Sequence, residues 1–524
     1  MNCTINLPFI RSAKTGYFFV LISSLLLSLL YCPPVDPVRD DQQVYQYAGM
    51  LIAKGGVPYL ELFDHKPPLI YFLYWPGYWL GSWGPWIIDA LFVAGATLFF
   101  YKRCKEKQLP FPALLPLLFN LLLRNYFVCE GVGMTREYTS VFLLIAFCIL
   151  MGRPRYAFFC LGLLAAATFF TQQEQLLIFL PLLVYAFATD LSTTRQFLTR
   201  LLQAIAGGLI ITGPILLYFA AHHALAAFWR DAFLFNFKWY ADKRPIGEQY
   251  RVIHTALITS HLGFILLISS TLAATALLLR TKQKWLICAI LLSTGLAFAP
   301  EMISGRMAAV ANSFYYYLAP FSAILPILVF AVWTAADHPF INSRISHAVF
   351  GFLLCAPVLY TAIEHATHLR LDNDATVRNR PEYKFLRSQP LSDYELYVFG
   401  NGLWPALYND FRILAPSPWI YHHFWKWYPR WDPDQQILMS IGRDLLTHRT
   451  RYVVDLSNQI WFHFANPSAS QWWKTFLKQH YKPLDIKGTP DIIVWQLDPD
   501  TVNAPLPTDI KISAITTNTL FLPI

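Results

Sequence analysis

Charged residues are scarce in this chain of 524 residues, at 14% of the total, whereas soluble proteins carry about a quarter. Hydrophobic residues make up 55% of the sequence. They cluster in runs of roughly 15 to 25 residues, the length at which a helix crosses a bilayer. The composition therefore excludes an ordinary soluble enzyme and predicts a polytopic membrane protein.

Cysteine is also sparse, with eight residues, no CxxC pair and none after Cys355. Neither a disulfide framework nor a zinc cluster is supported, and the C-terminal region must fold without disulfides. A cleavage site of the A-x-A type is missing after the first apolar run, although Arg11 and Lys14 precede that run. We therefore expect a retained first helix and not a removed signal peptide.

The apolar runs predict about eleven membrane spans. These spans fall at about 15–33, 86–101, 111–124, 138–151, 156–171, 175–189, 201–221, 253–279, 285–303, 314–333 and 346–366. The aromatic stretch 67–84 is broken by Pro76 and three glycines, which is typical of a helix lying in the membrane interface.

The net charge of +9 comes largely from Lys and Arg in short loops between the predicted spans. The pattern indicates membrane topology and no nucleic-acid partner, since cytoplasmic loops are enriched in basic residues. We expect a multi-pass protein of the plasma (inner) membrane with a cytoplasmic N-terminus. The basic residues on that side are Arg11, Lys14, Lys102, Arg103, Lys105, Lys107, Arg153, Arg155, Arg195, Arg200, Arg280, Lys282, Lys284 and Arg344.

Charge rises and apolar runs shorten near residue 370. Strand-like composition occurs at 394–400, 451–456 and 491–497. The apolar spacing of amphipathic helices occurs at 437–449 and 470–481. We therefore predict a mainly α fold. It comprises a transmembrane domain over 1–370, with a first outer loop at 34–85, and a small α/β extracytoplasmic domain over 371–524.

The first outer loop gathers the most polar residues of the apolar half, over 36–68. Asp40 and Asp41 have the chemistry of a general base that takes a proton from an acceptor hydroxyl. They equally suit an acid pair at the start of a helix over the following residues. Both interpretations stay open at this point.

The same loop ends in Asp64-His65-Lys66-Pro67-Pro68. The prolines restrict the backbone, so that Lys66 is held in place to neutralise a departing phosphate. Asp64 and His65 are possible metal ligands. The plain alternative for Lys66 is an interfacial lysine that pairs with lipid headgroups.

Two further outer segments carry candidate residues. Arg136 and Glu137 begin the fourth predicted span; Arg136 suits phosphate binding, and Glu137 suits an acceptor or a metal. The alternative is an ordinary charge pair at a helix start. The loop 222–252 has the pattern of an amphipathic interfacial segment, and with Arg306 it places basic residues on the outer side, as an anionic ligand would require.

These residues resemble the GT-C superfamily of membrane glycosyltransferases. The branch concerned contains the protein O-mannosyltransferases and the aminoarabinose transferase that modifies lipid A. Its loop pattern of an acid pair, Tyr-x-x-A-x-x-L-x-x-G-G-x-P-Y and Lys-Pro-Pro-Leu stands here with one additional residue between Leu51 and Gly55. The matching positions are Asp40, Asp41, Tyr45, Ala48, Leu51, Gly55, Gly56, Pro58, Tyr59, Lys66, Pro67, Pro68 and Leu69.

The resemblance implies an inverting transfer of a sugar from a polyprenyl monophosphate donor to a lipid, glycan or protein acceptor in the cell envelope. By motif position, Asp40 is the catalytic base and Asp41 supports it, while Lys66 and Arg136 bind the donor phosphate, with Arg306 as a further candidate. Several members use a divalent metal ion, for which His65 and Glu137 are candidate ligands. Membrane lipids are the remaining expected partners.

A transporter or flippase of lipid-linked glycans is the alternative function. Transporters often show internal repeats, and the sequence has none that we detect. In the C-terminal region, the aromatic run 417–431 suits stacking on sugars or, equally, an aromatic belt at the membrane surface.

Overall fold

Helices make up most of the computed structural model. The structure describes residues 13–33, 40–109, 111–124, 132–190, 193–240, 283–304, 319–335, 377–400, 406–420, 432, 436–458, 464, 467–488, 491–501 and 504–507. Two compact units emerge from the contacts between residues. Unit 1 comprises 1–38, 66–218 and 241–371, and unit 2 comprises 39–65, 219–240 and 372–524.

The α-helices are numbered here in chain order. They are α1 Ala13–Leu29, α2 Asp40–Ala53, α3 Leu69–Tyr74, α4 Trp83–Glu106, α5 Leu114–Leu123, α6 Thr135–Gly152, α7 Ala157–Thr171, α8 Leu176–Asp190, α9 Thr194–Ala221, α10 Leu225–Trp229, α11 Lys284–Ser304, α12 Phe321–Ala335, α13 Pro381–Arg387, α14 Ala406–Phe411, α15 Gln436–Thr447 and α16 Pro467–His480. Short 3-10 helices occur at Pro76–Leu80, Gln173–Gln175, Val377–Asn379 and Pro499–Thr501, and π-helical turns at Arg230–Leu234 and Asn236–Tyr240.

Helices occupy nine of the eleven predicted span positions, and the other two, 253–279 and 346–366, lie outside the described residues. Among the described residues, three helices are long and apolar enough to cross a membrane: Trp83–Glu106, Thr135–Gly152 and Thr194–Ala221. Six other apolar helices in the described ranges have 10 to 17 residues. The count of eleven spans is therefore not confirmed, because most of these apolar segments are shorter than the ~20 residues that a full crossing needs.

Helices α7 and α9 pack closely in unit 1 because glycines stand where they touch. A Cβ on Gly162 would lie 1.9 Å from the carbonyl oxygen of Ala204, and one on Gly207 would lie 1.9 Å from that of Phe159. Small residues permit this close backbone approach between apolar helices. The predicted interfacial segment 67–84 forms the short helix α3 and the 3-10 helix Pro76–Leu80, which are separated at Trp75.

Unit 2 contains a four-stranded sheet in the order β1-β2-β4-β3. The strands are β1 Leu396–Phe399, β2 Tyr452–Asp455, β3 Tyr481–Pro483 and β4 Ile493–Leu497. Strand β1 is parallel to β2, whereas β4 is antiparallel to both β2 and β3. Three of these strands match the predicted segments; the short β3 was not predicted.

The core of unit 2 is aromatic and lies between the sheet and helices α15 and α16. Phe399 of β1 stacks on Trp473 of α16 with ring centroids 3.8 Å apart. Two residues from distant parts of the chain, Phe63 and Phe235, join the same buried cluster. Segments 39–65 and 219–240 are thus structural parts of unit 2.

Candidate functional site

The acid pair stands at the start of helix α2, which begins at Asp40. The side chain of Asp41 is partly buried, and its Oδ2 accepts a hydrogen bond of 3.3 Å from the Tyr45 hydroxyl, one turn along the helix. Carboxylates are favourable at a helix N-terminus because the helix dipole is positive there. The helix predicted after the acid pair is present, which places both aspartates in a fixed backbone.

A tight turn reverses the chain after α2. Gly55 has φ +88°, a conformation that favours glycine, and a Cβ on Gly56 would lie 2.4 Å from the Leu51 side chain. Glu61 accepts a hydrogen bond of 2.9 Å from the amide of Val57. The geometry of this turn therefore explains why glycines stand at the first two positions of the Gly-Gly-x-Pro-Tyr pattern.

Asp64 and His65 are buried in unit 2. The Nδ1 atom of His65 lies 3.2 Å from Oδ1 of Asp64, and the same oxygen accepts the amide of His65 at 2.7 Å. The side-chain amide of Asn236 donates to the carbonyl oxygen of His65 at 2.6 Å. The candidate metal ligand His65 is thus held by Asp64 and by the segment 219–240.

The segment 219–240 also contains an ion pair between Arg230 and Asp231, which was not predicted from the sequence. Arg230 donates to both carboxylate oxygens of Asp231, at 2.6 and 2.9 Å. Burial raises the pKa of Asp231, Arg230 opposes the shift, and the nearby charge of Asp64 adds to it. The pair lies in the first of the two π-helical turns that follow α10.

Lys66 begins the next part of unit 1 and is half-buried beside the buried Pro67 and Pro68. Its carbonyl oxygen accepts a hydrogen bond of 3.2 Å from the hydroxyl of Tyr71 in α3. The backbone at this lysine is therefore fixed by two prolines and one hydrogen bond.

Arg136 lies in the first turn of α6 and is buried. Its guanidinium donates to Oε1 of Glu174 at 3.2 Å, and Gln172 donates to the same oxygen at 2.5 Å. The hydroxyl of Thr135 donates in turn to Gln172. The hairpin between α7 and α8 thus forms one polar cluster with the start of α6.

Glu137, the neighbour of Arg136, belongs to a second buried cluster in unit 1. One of its carboxylate oxygens pairs with Arg124, and the other accepts the amide of Gly133 at 2.6 Å. Arg124 also pairs with Asp89 of α4, and its carbonyl oxygen accepts the hydroxyl of Tyr31. Sequence reasoning missed this cluster, because its only signal is three charges near the ends of apolar segments.

Two observations bear on whether Glu137 can bind a metal ion. Both of its oxygens are engaged by protein donors. Within the described ranges, no three His, Cys, Asp or Glu side chains group in a way that would hold a metal ion. The described residues alone therefore supply no metal-binding group, and the assignment of His65 and Glu137 as ligands stays a prediction. Arg306 and most of the aromatic run, 421–431, lie outside the described residues.

Neither a family model nor a curated protein sequence matches this chain, but solved structures do. ArnT from Cupriavidus metallidurans bound to undecaprenyl phosphate has a TM-score of 0.55 at 12% identity, covering 94% of this chain and all of ArnT. This chain has a GT-C-like fold. The apo form of the same ArnT gives a TM-score of 0.54 at 15% identity, covering 92% of this chain and 98% of that one. The resemblance noted in the first outer loop is confirmed at the level of the fold.

A more distant likeness is to the archaeal oligosaccharyltransferase AglB from Archaeoglobus fulgidus, solved with an inhibitory peptide and a dolichol-phosphate. It has a TM-score of 0.42 at 12% identity, covering 94% of this chain and 75% of AglB.

Proposed function

We propose that this protein is a membrane glycosyltransferase that transfers a sugar from a polyprenyl-phosphate donor to a hydroxyl acceptor. The observation that carries the proposal is the fold match to the whole of ArnT, whose structure holds undecaprenyl phosphate. The loop motif from Asp40 to Leu69 supports it, since its acid pair and its Lys-Pro-Pro segment supply the two kinds of group that such a transfer needs.

On the acceptor side, we assign Asp40 as the general base and Asp41 as its support. The acceptor hydroxyl gives its proton to the Asp40 carboxylate as its oxygen attacks the anomeric carbon of the sugar. The bond between that carbon and the phosphate oxygen breaks, and the polyprenyl monophosphate leaves with the bonding pair. Attack opposite to the leaving group inverts the anomeric configuration.

On the donor side, we assign Lys66 and Arg136 to the phosphate, with Arg306 as a further candidate. Negative charge grows on the leaving phosphate, so a fixed cation stabilises the transition state more than the ground state. The prolines after Lys66 and the bond from Arg136 to Glu174 limit the motion of both residues. In the proposed reaction, the base and the phosphate-binding groups are all protein side chains.

The test compares variants in a strain that lacks the protein. Envelope lipids, glycans and proteins are analysed by mass spectrometry after complementation with the wild type, Asp40→Asn or Lys66→Met. The wild type should restore a missing sugar, and Asp40→Asn should lower transfer by roughly 10²- to 10⁴-fold, the usual contribution of a general base. Asp500→Asn, which changes an exposed aspartate in unit 2, is the matched control.

A binding measurement separates the two roles. Undecaprenyl phosphate should raise the unfolding temperature of the purified wild type and of Asp40→Asn, but not that of Lys66→Met. Full transfer by Asp40→Asn would remove that residue as the base. A deletion strain with unchanged glycosylation but accumulated lipid-linked glycan would replace the transferase by a transporter.

A further inference from the structure

Helix α2 is held along its whole length by the C-terminal part of unit 2. At its end, Lys54 donates to the carboxylate of Asp393 and to the carbonyl oxygen of Arg412, the latter at 2.7 Å. Asp393 also accepts the amide of Leu414 at 2.9 Å. The lysine therefore joins the end of α2 to a loop that is itself hydrogen-bonded.

The middle of α2 is fixed by Tyr47. This side chain is buried, and its hydroxyl accepts the amide of Ala415 at 3.0 Å. Its ring meets that of Tyr408 edge to face, with centroids 5.5 Å apart. The Tyr408 hydroxyl accepts the amide of Val398 in strand β1 at 2.8 Å. A chain of two tyrosines therefore connects α2 to the sheet.

The first turn of α2 makes a third connection. The side-chain amide of Asn409, in α14, donates to the carbonyl oxygen of Gln43 at 2.9 Å. Gln43 is itself buried. The bond lies within one turn of Asp40, so the attachment reaches the end of the helix at which the acid pair stands.

We propose that these C-terminal contacts position the acid pair, and that Tyr47, Lys54, Asp393 and Asn409 are positioning residues for the transfer. The inference rests on the proposed function. A helix is stiff over a few turns, and Tyr47 follows Asp40 by seven residues, about two turns. Fixing the helix at three points therefore fixes the backbone of the base, and small displacements of such a group reduce the rate strongly.

The contacts are specific enough for point variants in the full chain. Tyr47→Phe removes one hydroxyl and leaves the ring, while Lys54→Met removes one charge and leaves the aliphatic stem. Each variant should lower the transfer rate by roughly 10- to 100-fold, as misplacement of a catalytic group does. Stabilisation of the variants by undecaprenyl phosphate should equal that of the wild type. Lys54→Arg should recover most of the rate.

Tyr481→Phe is the matched control. The hydroxyl of Tyr481 donates to the carbonyl oxygen of Thr450 at 3.2 Å, and the residue is buried in the same unit. It has no part in holding α2, so this variant should transfer sugar at the wild-type rate. An equal loss of rate in Tyr481→Phe and Tyr47→Phe would mean that general destabilisation explains both, and would overturn positioning.

Hydrogen exchange tests the attachment without any activity. The amides of α2 in the purified full chain should exchange faster in Tyr47→Phe and Lys54→Met, but not in Tyr481→Phe. If Asp40→Asn is inactive while Tyr47→Phe and Lys54→Met keep the wild-type rate, the positioning role fails and the proposed function stands. If the wild type transfers no sugar, the proposed function fails. Separately, hydrogen exchange in α2 that is unchanged in Tyr47→Phe and Lys54→Met would refute the attachment.

Discussion

Asp455 shows how burial alters a single carboxyl group in unit 2. It ends strand β2, is buried, and accepts hydrogen bonds from the indole of Trp473 at 3.2 Å and the amide of Ser457 at 3.1 Å. Burial raises the pKa of Asp455, and these hydrogen bonds only partly oppose the shift. The folded protein therefore holds the proton of this group more tightly than the unfolded chain does.

The contribution of Asp455 to stability is fully present below its unfolded pKa and is lost as pH rises through its higher folded pKa. The substitution Asp455→Asn keeps an oxygen that can accept the two hydrogen bonds, but it removes the carboxyl group that titrates. The unfolding temperature of the variant minus that of the wild type should therefore increase as pH rises above the ordinary pKa of an aspartate. A difference that does not change with pH would contradict the argument.

One arginine connects four helices of unit 1. Arg124, at the end of α5, pairs with Asp89 of α4 and Glu137 of α6 and lies close to Ser28, just inside the end of α1. All three charged side chains are almost fully buried. Such a cluster is stable only as long as each charge keeps its partner.

Arg124→Met should therefore destabilise the protein by about 3–5 kcal/mol, because it leaves two buried carboxylates without their cation. Heating followed by size-exclusion chromatography in detergent measures the loss of folded protein. Adding Asp89→Asn and Glu137→Gln should restore much of the stability. Lys102→Met, which removes an exposed cation of α4, is the control and should change stability by less than about 1 kcal/mol.

Local patterns predicted most of the elements but not the contacts between them. Helix α2 and strands β1, β2 and β4 were predicted because their apolar spacing repeats over several residues. Strand β3 was missed because Tyr481–Pro483 has three residues, one of them a proline that cannot donate to a sheet.

Candidate site residues could be predicted where they stand together in one sequence motif. They could not be predicted where distant parts of the chain meet only in the folded protein. Asp40 and Lys66 stand in one loop motif, and the resemblance of that motif to the GT-C superfamily makes them candidates. The partners of α2 are 339 to 368 residues away in sequence, and no local pattern signals such a pairing. For the same reason the partners of Glu137 were not predicted, and its assignment as a metal or acceptor ligand stays a prediction.

Unit 2 is assembled from three separate stretches of chain, 39–65, 219–240 and 372–524. Its core includes Phe63 and Phe235, whose rings lie 5.3 Å apart. The C-terminal stretch alone would expose the surfaces that these segments cover. It is therefore not expected to behave as an independent domain.

A fragment spanning 372–524 should accordingly be less soluble and more sensitive to proteolysis than the same fragment fused to 39–65 by a flexible linker. Limited proteolysis of the two purified fragments measures the difference. A second fusion that carries Tyr47→Phe and Phe63→Ala should lose the protection. Equal resistance of the bare fragment and the fusion would show that the C-terminal stretch needs no partner.

The bond from Lys54 to Asp393 also has a consequence in time. The two residues are 339 positions apart, and at about 5–20 residues per second a ribosome needs roughly 17 to 68 s to synthesise the chain between them. During that interval α2 has left the ribosome without the surface on which it packs. Its buried tyrosines are then available to chaperones, proteases and other nascent chains, so the yield of folded protein should depend on how fast the second half of the chain is translated.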